Sequence, residues 1–178
     1  MELTGEKVFL TPITKADTKD IVRWRNCDKV RRNFIYQKLF TEESHNHWVD
    51  TMVHTGKVAQ FVIHDRETGL GVGSVFLRDI DRIHNKAEYG IFIGEDAARG
   101  RGFGSEAAKL IVEYGFKVLG LHKIMLRVFA DNGSAIRSYE KAGFVKEAYL
   151  KDEVRVNGEY RDFVLMALIQ GEDQRRKA

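Results

Sequence analysis

The stretch Arg-Gly-Arg-Gly-Phe-Gly at residues 99–104 decides the fold, because it joins a strand-like segment, residues 87–94, to the clearest amphipathic helical pattern, residues 105–119. Glycine backbones turn freely and approach a ligand closely, and the first turn of a helix presents unpaired N–H groups to an anion. Arginine side chains add charge-assisted hydrogen bonds. The stretch therefore predicts a binding site for a diphosphate group.

Two other phosphate-binding motifs fit this stretch less well. A P-loop needs a lysine followed by serine or threonine after its glycines, and Gly104 is followed by Ser105-Glu106. The glycine loop of a dinucleotide-binding fold follows the first strand of a βαβ unit, which is not found here. A plain glycine-rich turn with solvated arginines is the structural alternative.

The apolar periodicity on both sides of this stretch predicts further strands and helices. Thr14 and Thr41 precede helical patterns as N-cap residues, and Asn157-Gly158 is typical of a tight hairpin turn. This order predicts a mixed sheet with helices on both faces. The predicted strands cover residues 8–10, 61–64, 72–77, 87–94, 123–130 and two segments within 144–169, and the predicted helices cover residues 14–26, 41–54, 105–119 and 134–142.

Length and composition favour one globular domain. The chain has 178 residues, 43% of them hydrophobic and 31% charged, which suffices for one substantial core. The 29 basic residues barely exceed the 26 acidic ones, so there is no sequence-wide reason to expect nucleic-acid binding. We assign residues 6–170 to the domain and residues 171–178 to a charged tail.

Cysteine usage and hydropathy predict a cytoplasmic protein. Cys27 is the single cysteine, so the chain cannot form an internal disulfide. The sequence starts without a signal-peptide pattern, and no apolar run is long enough to cross a bilayer, so no membrane partner is expected. His45 and His47 are two apart on a predicted helix and face different directions, so no metal site is expected.

Two separate stretches match the motifs of one known family. Arg99, Gly102 and Gly104 match a pyrophosphate loop that reads arginine or glutamine, two residues, glycine, one residue, and glycine or alanine. Residues 132–144 match a second motif, in which asparagine begins a helix and a tyrosine precedes a Gly-Phe pair. The chain therefore resembles the GNAT superfamily of N-acetyltransferases, from residue 6 to residue 169 and in its ribosomal-protein-alanine and spermidine acetyltransferase branch.

The resemblance implies an α/β (α+β) GNAT fold, with a mixed, mostly antiparallel sheet of about seven strands, a central splay and about four helices on both faces. It also implies acetyl-CoA as the cosubstrate and no metal. Main-chain amides of the loop would hold the pyrophosphate, and the pantetheine arm would lie along residues 89–93. The residues expected at the cofactor are Ile91, Phe92, Ile93, Arg99, Arg101, Gly102, Phe103, Gly104, Ser105, Asn132 and Ser134.

Tyr139 and Glu88 are the candidate catalytic residues. The resemblance implies that Tyr139 gives a proton to the coenzyme A thiolate, while Glu88 or a chain of waters accepts a proton from the amine. A backbone N–H near Ile91 or Phe92 would stabilise the oxyanion. The structural alternatives are a packed tyrosine at position 139, a salt bridge at Glu88 and a simple N-cap at Asn132.

The N-terminal third should choose the acceptor, because in this family the first two helices flank the open end of the splay. Residues 15–32 hold seven basic and three acidic residues. This excess favours an acceptor that carries phosphate or carboxylate over a polycation, although a solvated helix face explains it equally well. The expected acceptor-binding residues are Trp24, Arg25, Asn26 and Arg31.

Several acceptors stay open at this stage. Trp24-Arg25-Asn26 and Val30-Arg31 resemble the start of GNAT enzymes that acetylate nucleotide-linked amino sugars, which we therefore predict first. Residues 87–166 equally resemble spermidine and ribosomal-protein N-terminal acetyltransferases, so a polyamine, a protein N-terminus or another small amine are alternatives. An acetyl-CoA-binding module without turnover is the alternative from another class, and a homodimer is also left open.

Overall fold

The computed structural model describes residues 2–171, and in that range eight strands form one sheet. The strands are β1 (Leu3–Thr4), β2 (Val8–Pro12), β3 (Ala59–Asp65), β4 (Gly71–Asp81), β5 (Lys86–Ile93), β6 (Lys123–Phe129), β7 (Val145–Val156) and β8 (Glu159–Ile169). Their order across the sheet is β1-β2-β3-β4-β5-β6-β8-β7. The helices are α1 (Thr18–Asn26), α2 (Asp28–Arg31), α3 (Glu42–Trp48), α4 (Phe103–Lys117) and α5 (Gly133–Lys141).

The mixed α/β sheet is confirmed, with one strand and one helix more than the seven and four predicted. The additional strand β1 has two residues and pairs with β2, and the additional helix α2 has four residues. Segments this short carry no readable apolar period, so tertiary contacts decide their conformation. Most of the predicted tail, residues 172–178, lies outside the described residues.

The carboxylate of Glu106 on α4 supplies such a tertiary contact at the turn between β1 and β2. It accepts hydrogen bonds from the backbone N–H groups of Lys7 at 2.7 Å and Val8 at 2.8 Å. The N–H of Glu6 donates to the same carboxylate at 2.8 Å. The N-terminal end of the long helix therefore holds the first hairpin in place.

Side-chain caps fix where the helices of the N-terminal third begin. Thr14 caps a short 3-10 turn, Lys15–Asp17, which leads into α1. Thr41 caps α3 by accepting a hydrogen bond from the N–H of Ser44 at 3.1 Å. A π-helical turn, Val49–Val53, then continues α3 to the predicted end at residue 54.

The sheet carries a hydrophobic core on each face, which confirms helices on both sides. The larger core includes Ile111 of α4 and Tyr89 of β5. The smaller core includes Ile21 and Trp24 of α1 and Phe92 of β5. Because successive strand residues point to opposite faces, β5 contributes Tyr89 to one core and Phe92 to the other.

Trp24 fits against a glycine at the end of β5. Its side chain is 2% exposed, and a Cβ atom on Gly94 would lie 2.1 Å from Trp24 Cγ. Trp24 Nε1 also donates to Glu95 Oε1 at 2.7 Å. These contacts hold α1 against the strand end that precedes residues 99–104.

The predicted central splay is confirmed between β5 and β6. These strands are the one parallel pair among the described strands, and they pair only at Lys86–Lys123, Ala87–Ile124 and Glu88–Met125. Beyond Glu88 the two strands diverge, while β6 stays paired with β8.

No helix within residues 2–171 is long and apolar enough to span a membrane.

Candidate functional site

Two cavities meet at the splay. A cavity of about 250 Å³ opens on the face of α1 and α2, and a second of about 200 Å³ opens on the face of α4 and α5. Both are lined by Tyr89, Ile91, Phe92, Ile93, Ala135 and Tyr139. The gap in the sheet is therefore a passage from one face to the other, with Tyr139 at the junction.

The first turn of α4 lies at the mouth of the second cavity. Gly102 precedes the helix with φ 86°, a left-handed conformation that favours glycine. Within residues 2–171 no side chain caps this helix, so its first N–H groups are available to an anion. Gly104 and Ser105 line the cavity, and Phe103 is buried below the turn. This arrangement suits the diphosphate that the sequence predicts.

The structure separates the two arginines of the loop. Arg99 donates to the carbonyl oxygen of Ile93 at 3.0 Å and lines the larger cavity. Arg101 instead donates to Asp65 Oδ2 at 3.0 Å, and its guanidinium carbon lies 4.5 Å from the centre of the Phe103 ring. Arg101 lines neither cavity at the splay. Arg99 therefore lines the cavity that lacks Gly104 and Ser105, and Arg101 lines neither, so the pyrophosphate roles of both arginines stay predictions.

Tyr139 is held by α5 and by two aromatic neighbours. Asn132 begins the helix by accepting a hydrogen bond from the N–H of Ala135 at 3.2 Å, so the predicted N-cap is present. The Tyr139 ring packs against Tyr89 at 5.9 Å and Phe144 at 6.0 Å, measured between ring centroids. Burial raises the pKa of Tyr139 to about 12. The hydroxyl therefore stays protonated at neutral pH and can act as a proton donor.

Tyr89 adds a polar group that the sequence did not single out. Its hydroxyl is buried and has no hydrogen-bond partner within residues 2–171. Burial, with a smaller contribution from Tyr139, raises its pKa well above the usual range. A buried hydroxyl without a partner is unfavourable, and a ligand lying in the splay can supply one. The site therefore fits a polar, extended molecule such as the pantetheine arm of coenzyme A.

Asn132 lines a cavity at the splay, whereas Ser134 does not. Asn132 lines the larger cavity, and its Nδ2 lies 3.4 Å from Asn33 Oδ1 across it. Ser134 is exposed, donates to Asn132 Oδ1 at 3.3 Å and lines neither cavity. In this conformation Ser134 supports the cap of α5.

Glu88 is shared by two arginines at the start of the splay. Arg78 Nη2 donates to Glu88 Oε1 at 2.8 Å, and Arg127 Nη2 donates to Oε2 at 3.0 Å. The predicted salt-bridge alternative is therefore present, and the two guanidinium groups compete with any ammonium for the carboxylate. Arg78 faces Glu88 in the register of β4 and β5, so a predicted hairpin of these two strands could have indicated this pair, but not Arg127 on β6.

The four predicted acceptor-binding residues hold the scaffold instead of lining the cavity. Trp24 is packed on Gly94, and Asn26 exchanges two hydrogen bonds with the backbone of Phe40, at 2.8 and 2.9 Å. Arg31 pairs with Asp28 and donates to the carbonyl of Gln37. Arg25 is buried against Phe34 and Phe40. On this side the cavity is lined by Lys29, Val30, Asn33, Phe34, Ile35, Tyr36, Phe76, Arg78, Glu88 and Arg127.

Metal binding finds no support in the geometry. Across residues 2–171, no three His, Cys, Asp or Glu side chains come together as ligands. His45 is buried and its Nδ1 lies 3.0 Å from the hydroxyl of Thr18. Desolvation lowers the pKa of His45, so it packs as a neutral side chain between α1 and α3.

A sheet that opens beside an uncapped helix start, with a protonated tyrosine at the junction of two cavities, defines an acyl-CoA-dependent transferase. The chain matches the family model described as "Acetyltransferase (GNAT) domain" over residues 7–145. It belongs to this family and is an N-acetyltransferase that uses acetyl-CoA.

Several of its relatives are named spermidine acetyltransferases. The spermidine N(1)-acetyltransferase of Escherichia coli K12 is 32% identical over 169 residues, which cover 94% of this chain and 88% of that protein. The crystal structure of spermidine N-acetyltransferase from Vibrio cholerae with CoA and spermine matches with a TM-score of 0.87 and 28% identity, covering 94% of this chain and 98% of that one.

A dodecameric structure of the Vibrio cholerae enzyme is also similar. It matches with a TM-score of 0.81 and 27% identity, covering 98% of this chain and 100% of that one. These findings confirm the predicted superfamily, its spermidine acetyltransferase-like branch and acetyl-CoA as cosubstrate.

Proposed function

We propose that this chain transfers the acetyl group of acetyl-CoA directly to a small primary amine, with both substrates bound at once. The observation that carries this proposal is the pair of cavities that meet at Tyr139. The cavity beside Gly104 and Ser105 suits the acetyl donor, and the cavity on the other face suits the amine. Direct transfer needs this arrangement, because the amine must reach the donor through the gap in the sheet.

The protein groups at the junction support proton transfer in both directions. An alkylammonium must lose a proton before it attacks, and Glu88 lies on the acceptor side, where it can accept one directly or through water. Tyr139 is protonated and can donate a proton to the departing sulfur. A backbone N–H of Ile91 or Phe92 is our candidate for the oxyanion. Bound acetyl-CoA supplies the activated acetyl thioester.

The comparisons favour a different acceptor from the one the sequence suggested first. Several relatives are named spermidine N-acetyltransferases, which supports the polyamine alternative over a nucleotide-linked amino sugar. Of the residues on which the amino-sugar prediction rested, Val30 lines the cavity, whereas Trp24 to Asn26 and Arg31 do not. Spermidine is therefore the first acceptor to test. A homodimer and a cytoplasmic location stay predictions.

An assay for free coenzyme A across a panel of amines tests the proposal. We expect acetyl-CoA-dependent release with at least one primary amine, and a kcat lower by about a hundredfold or more in Tyr139→Phe because the acid is removed. The KM for acetyl-CoA should change little. Tyr160→Phe, at an exposed tyrosine on β8, is the matched control. If acetyl-CoA binds but no amine is acetylated, the chain is a binding module and the proposal is wrong.

Glu88→Gln separates the two candidates for the base. If Glu88 is the base, kcat falls most at neutral pH and the loss shrinks as the pH approaches the pKa of the amine, since the free amine then needs no base. A uniform loss at all pH values would assign the base to water and leave Glu88 a structural role between Arg78 and Arg127.

A further inference from the structure

The acceptor side of the larger cavity carries an excess of positive charge. Its charged lining residues are one carboxylate, Glu88, and four cations, Lys29, Arg78, Arg99 and Arg127. Lys29 and Arg99 both pair with Asp96 at the rim, where all three side chains are at least one-third exposed. The less exposed charged residues of the lining are therefore Arg78, Arg127 and Glu88.

One carboxylate cannot neutralise two guanidinium groups. Arg78 Nη2 lies 2.8 Å from Glu88 Oε1, and Arg127 Nη2 lies 3.0 Å from Oε2. The Glu88 side chain is only 15% exposed, so within the cavity lining two guanidinium groups face one carboxylate in a partly desolvated place. Within residues 2–171, Nη1 of neither arginine donates a hydrogen bond, so both keep donors for a ligand.

Two further carboxylates act on the arginines from outside the cavity, and one of them, Asp79, also pairs with Arg78, its Oδ2 lying 3.7 Å from Arg78 Nε. Asp79 on β4 and Glu153 on β7 contribute to the raised pKa of Arg127, after burial, which acts the other way, and Glu88. Asp79 is 68% exposed and Glu153 is also exposed, and neither lines the cavity. Water and salt screen such charges, so they offset the cluster only weakly.

A second, independent observation is the buried charge of Arg25 behind the aromatic wall. Arg25 is 8% exposed, and its Nη1 has no hydrogen-bond partner within the described residues. Its guanidinium lies 3.5 Å from the centre of the Phe34 ring, and Phe34 lines the cavity. Desolvation, then the charge of Arg78, lowers the pKa of Arg25 to about 10, so it is still a cation at neutral pH. An uncompensated buried cation is costly, and an anion in the cavity would offset it.

We propose that, within the acetyl transfer proposed above, this cavity selects a primary amine that also carries a carboxylate or phosphate, held by Arg78 and Arg127. Guanidinium groups bind such anions through paired, charge-assisted hydrogen bonds. A polyamine would need a carboxylate for each additional ammonium, and Glu88 is already shared by two arginines. The chain therefore differs from its relatives in the charge of the acceptor that it prefers.

Matched amines that differ only in an acidic group test this inference. The full chain is assayed with butylamine against γ-aminobutyrate, with ethanolamine against phosphoethanolamine, and with spermidine. We expect kcat/KM to be higher for at least one acidic member than for its neutral partner and for spermidine. The two pairs distinguish a carboxylate from a phosphate as the recognised group.

Arg127→Gln and Arg78→Gln then test the residues. Each should lower kcat/KM for the preferred acidic amine by about tenfold or more, because a charge-assisted contact is lost, and leave the KM for acetyl-CoA unchanged. The control is Lys109→Gln, which removes an exposed cation on α4 and should have no effect. Thermal melting and acetyl-CoA binding confirm that each variant is folded.

The failures of the two proposals are distinguishable. If spermidine is preferred, or if both arginine variants retain full activity toward the acidic amine, the inference about charge is wrong while acetyl transfer stands. If no amine is acetylated although acetyl-CoA binds, the proposed function is wrong, and this inference falls with it.

Discussion

Tyr89 and Tyr139 pack edge to face at the splay, with their ring centroids 5.9 Å apart and their planes at 86°. Phe144 contacts both rings and fixes the pair between α5 and β5. Burial raises the pKa of both hydroxyls, so both stay protonated. Two adjacent neutral hydroxyls therefore lie where the two cavities meet.

The pH dependence of the reaction should reflect the raised pKa of Tyr139. Because this pKa is about 12, kcat at saturating substrates should not fall as the pH passes 10, the ordinary value for tyrosine. The measurement is a pH–kcat profile for the unmodified chain and for Tyr139→Phe. An alkaline decline near the ordinary value that disappears in the variant would contradict the assignment.

Removal of the Tyr89 hydroxyl should stabilise the free protein. The hydroxyl is buried without a partner, so Tyr89→Phe should raise the free energy of unfolding by up to about 1 kcal/mol. If the hydroxyl meets the acetyl donor, acetyl-CoA should also raise the Tm of the variant less than that of the unmodified chain. Denaturant unfolding and melting with and without acetyl-CoA measure both effects. A clear loss of stability would mean that the hydroxyl has a partner, such as water, in the free protein.

Glu106 should stabilise the first hairpin in a pH-dependent way. Burial alone would raise the pKa of Glu106, and three backbone N–H donors reverse this, so its pKa is lowered from the usual 4.5. A lowered pKa in the folded state means that the stabilisation is present above the ordinary value and is lost as the pH falls through the folded value.

The variant Glu106→Gln should therefore lower the free energy of unfolding by about 1–3 kcal/mol at neutral pH. The difference from the unmodified chain should shrink in acid. Urea unfolding at several pH values measures it. Glu113→Gln on the same helix, where the exposed carboxylate pairs only with Lys117, is the control and should change stability by less than about 1 kcal/mol. Equal losses in the two variants would contradict the role of Glu106.

A methyl group at Gly94 should displace Trp24. The added Cβ would lie 2.1 Å from Trp24 Cγ in a closely packed core, so Gly94→Ala should lower the free energy of unfolding by about 1–3 kcal/mol or more. Gly133→Ala is the control, since its Cβ would meet only the flexible end of Arg137, at 3.2 Å. Chemical denaturation of both variants measures these changes. If Gly94→Ala leaves the free energy of unfolding unchanged, α1 can shift without loss of stability and the prediction is wrong.

The donor half of the site could be predicted from the sequence because it is local. Residues 99–104 lie next to the helix whose N–H groups they expose, and Asn132 and Tyr139 belong to one short helix. Arg101 of this loop donates to Asp65 on the end of β3, a neighbour that sequence spacing does not reveal, and its role at the cofactor stays a prediction.

The acceptor half depends on the register of strands that are distant in sequence. Arg78, Glu88 and Arg127 lie on three adjacent strands, and no local pattern brings them together. The basic excess of residues 15–32 pointed to an anionic acceptor, but Arg31 is paired and Arg25 is buried behind Phe34. Trp24 was predicted to bind the acceptor, but its packing in the space above Gly94 explains its position better.

The gap between β5 and β6 also separates two groups of lining residues that come from different parts of the chain. The smaller cavity is lined only by residues from Tyr89 onward, whereas residues 29–36, two residues of β4 and three of β6 furnish about half of the lining of the larger cavity. We expect substitutions in residues 29–36 and in β4 to change which amine is accepted without changing how the acetyl thioester is bound. Exchange of residues 29–36 alone is therefore the most direct way to obtain a variant with a different acceptor and the same acetyl donor.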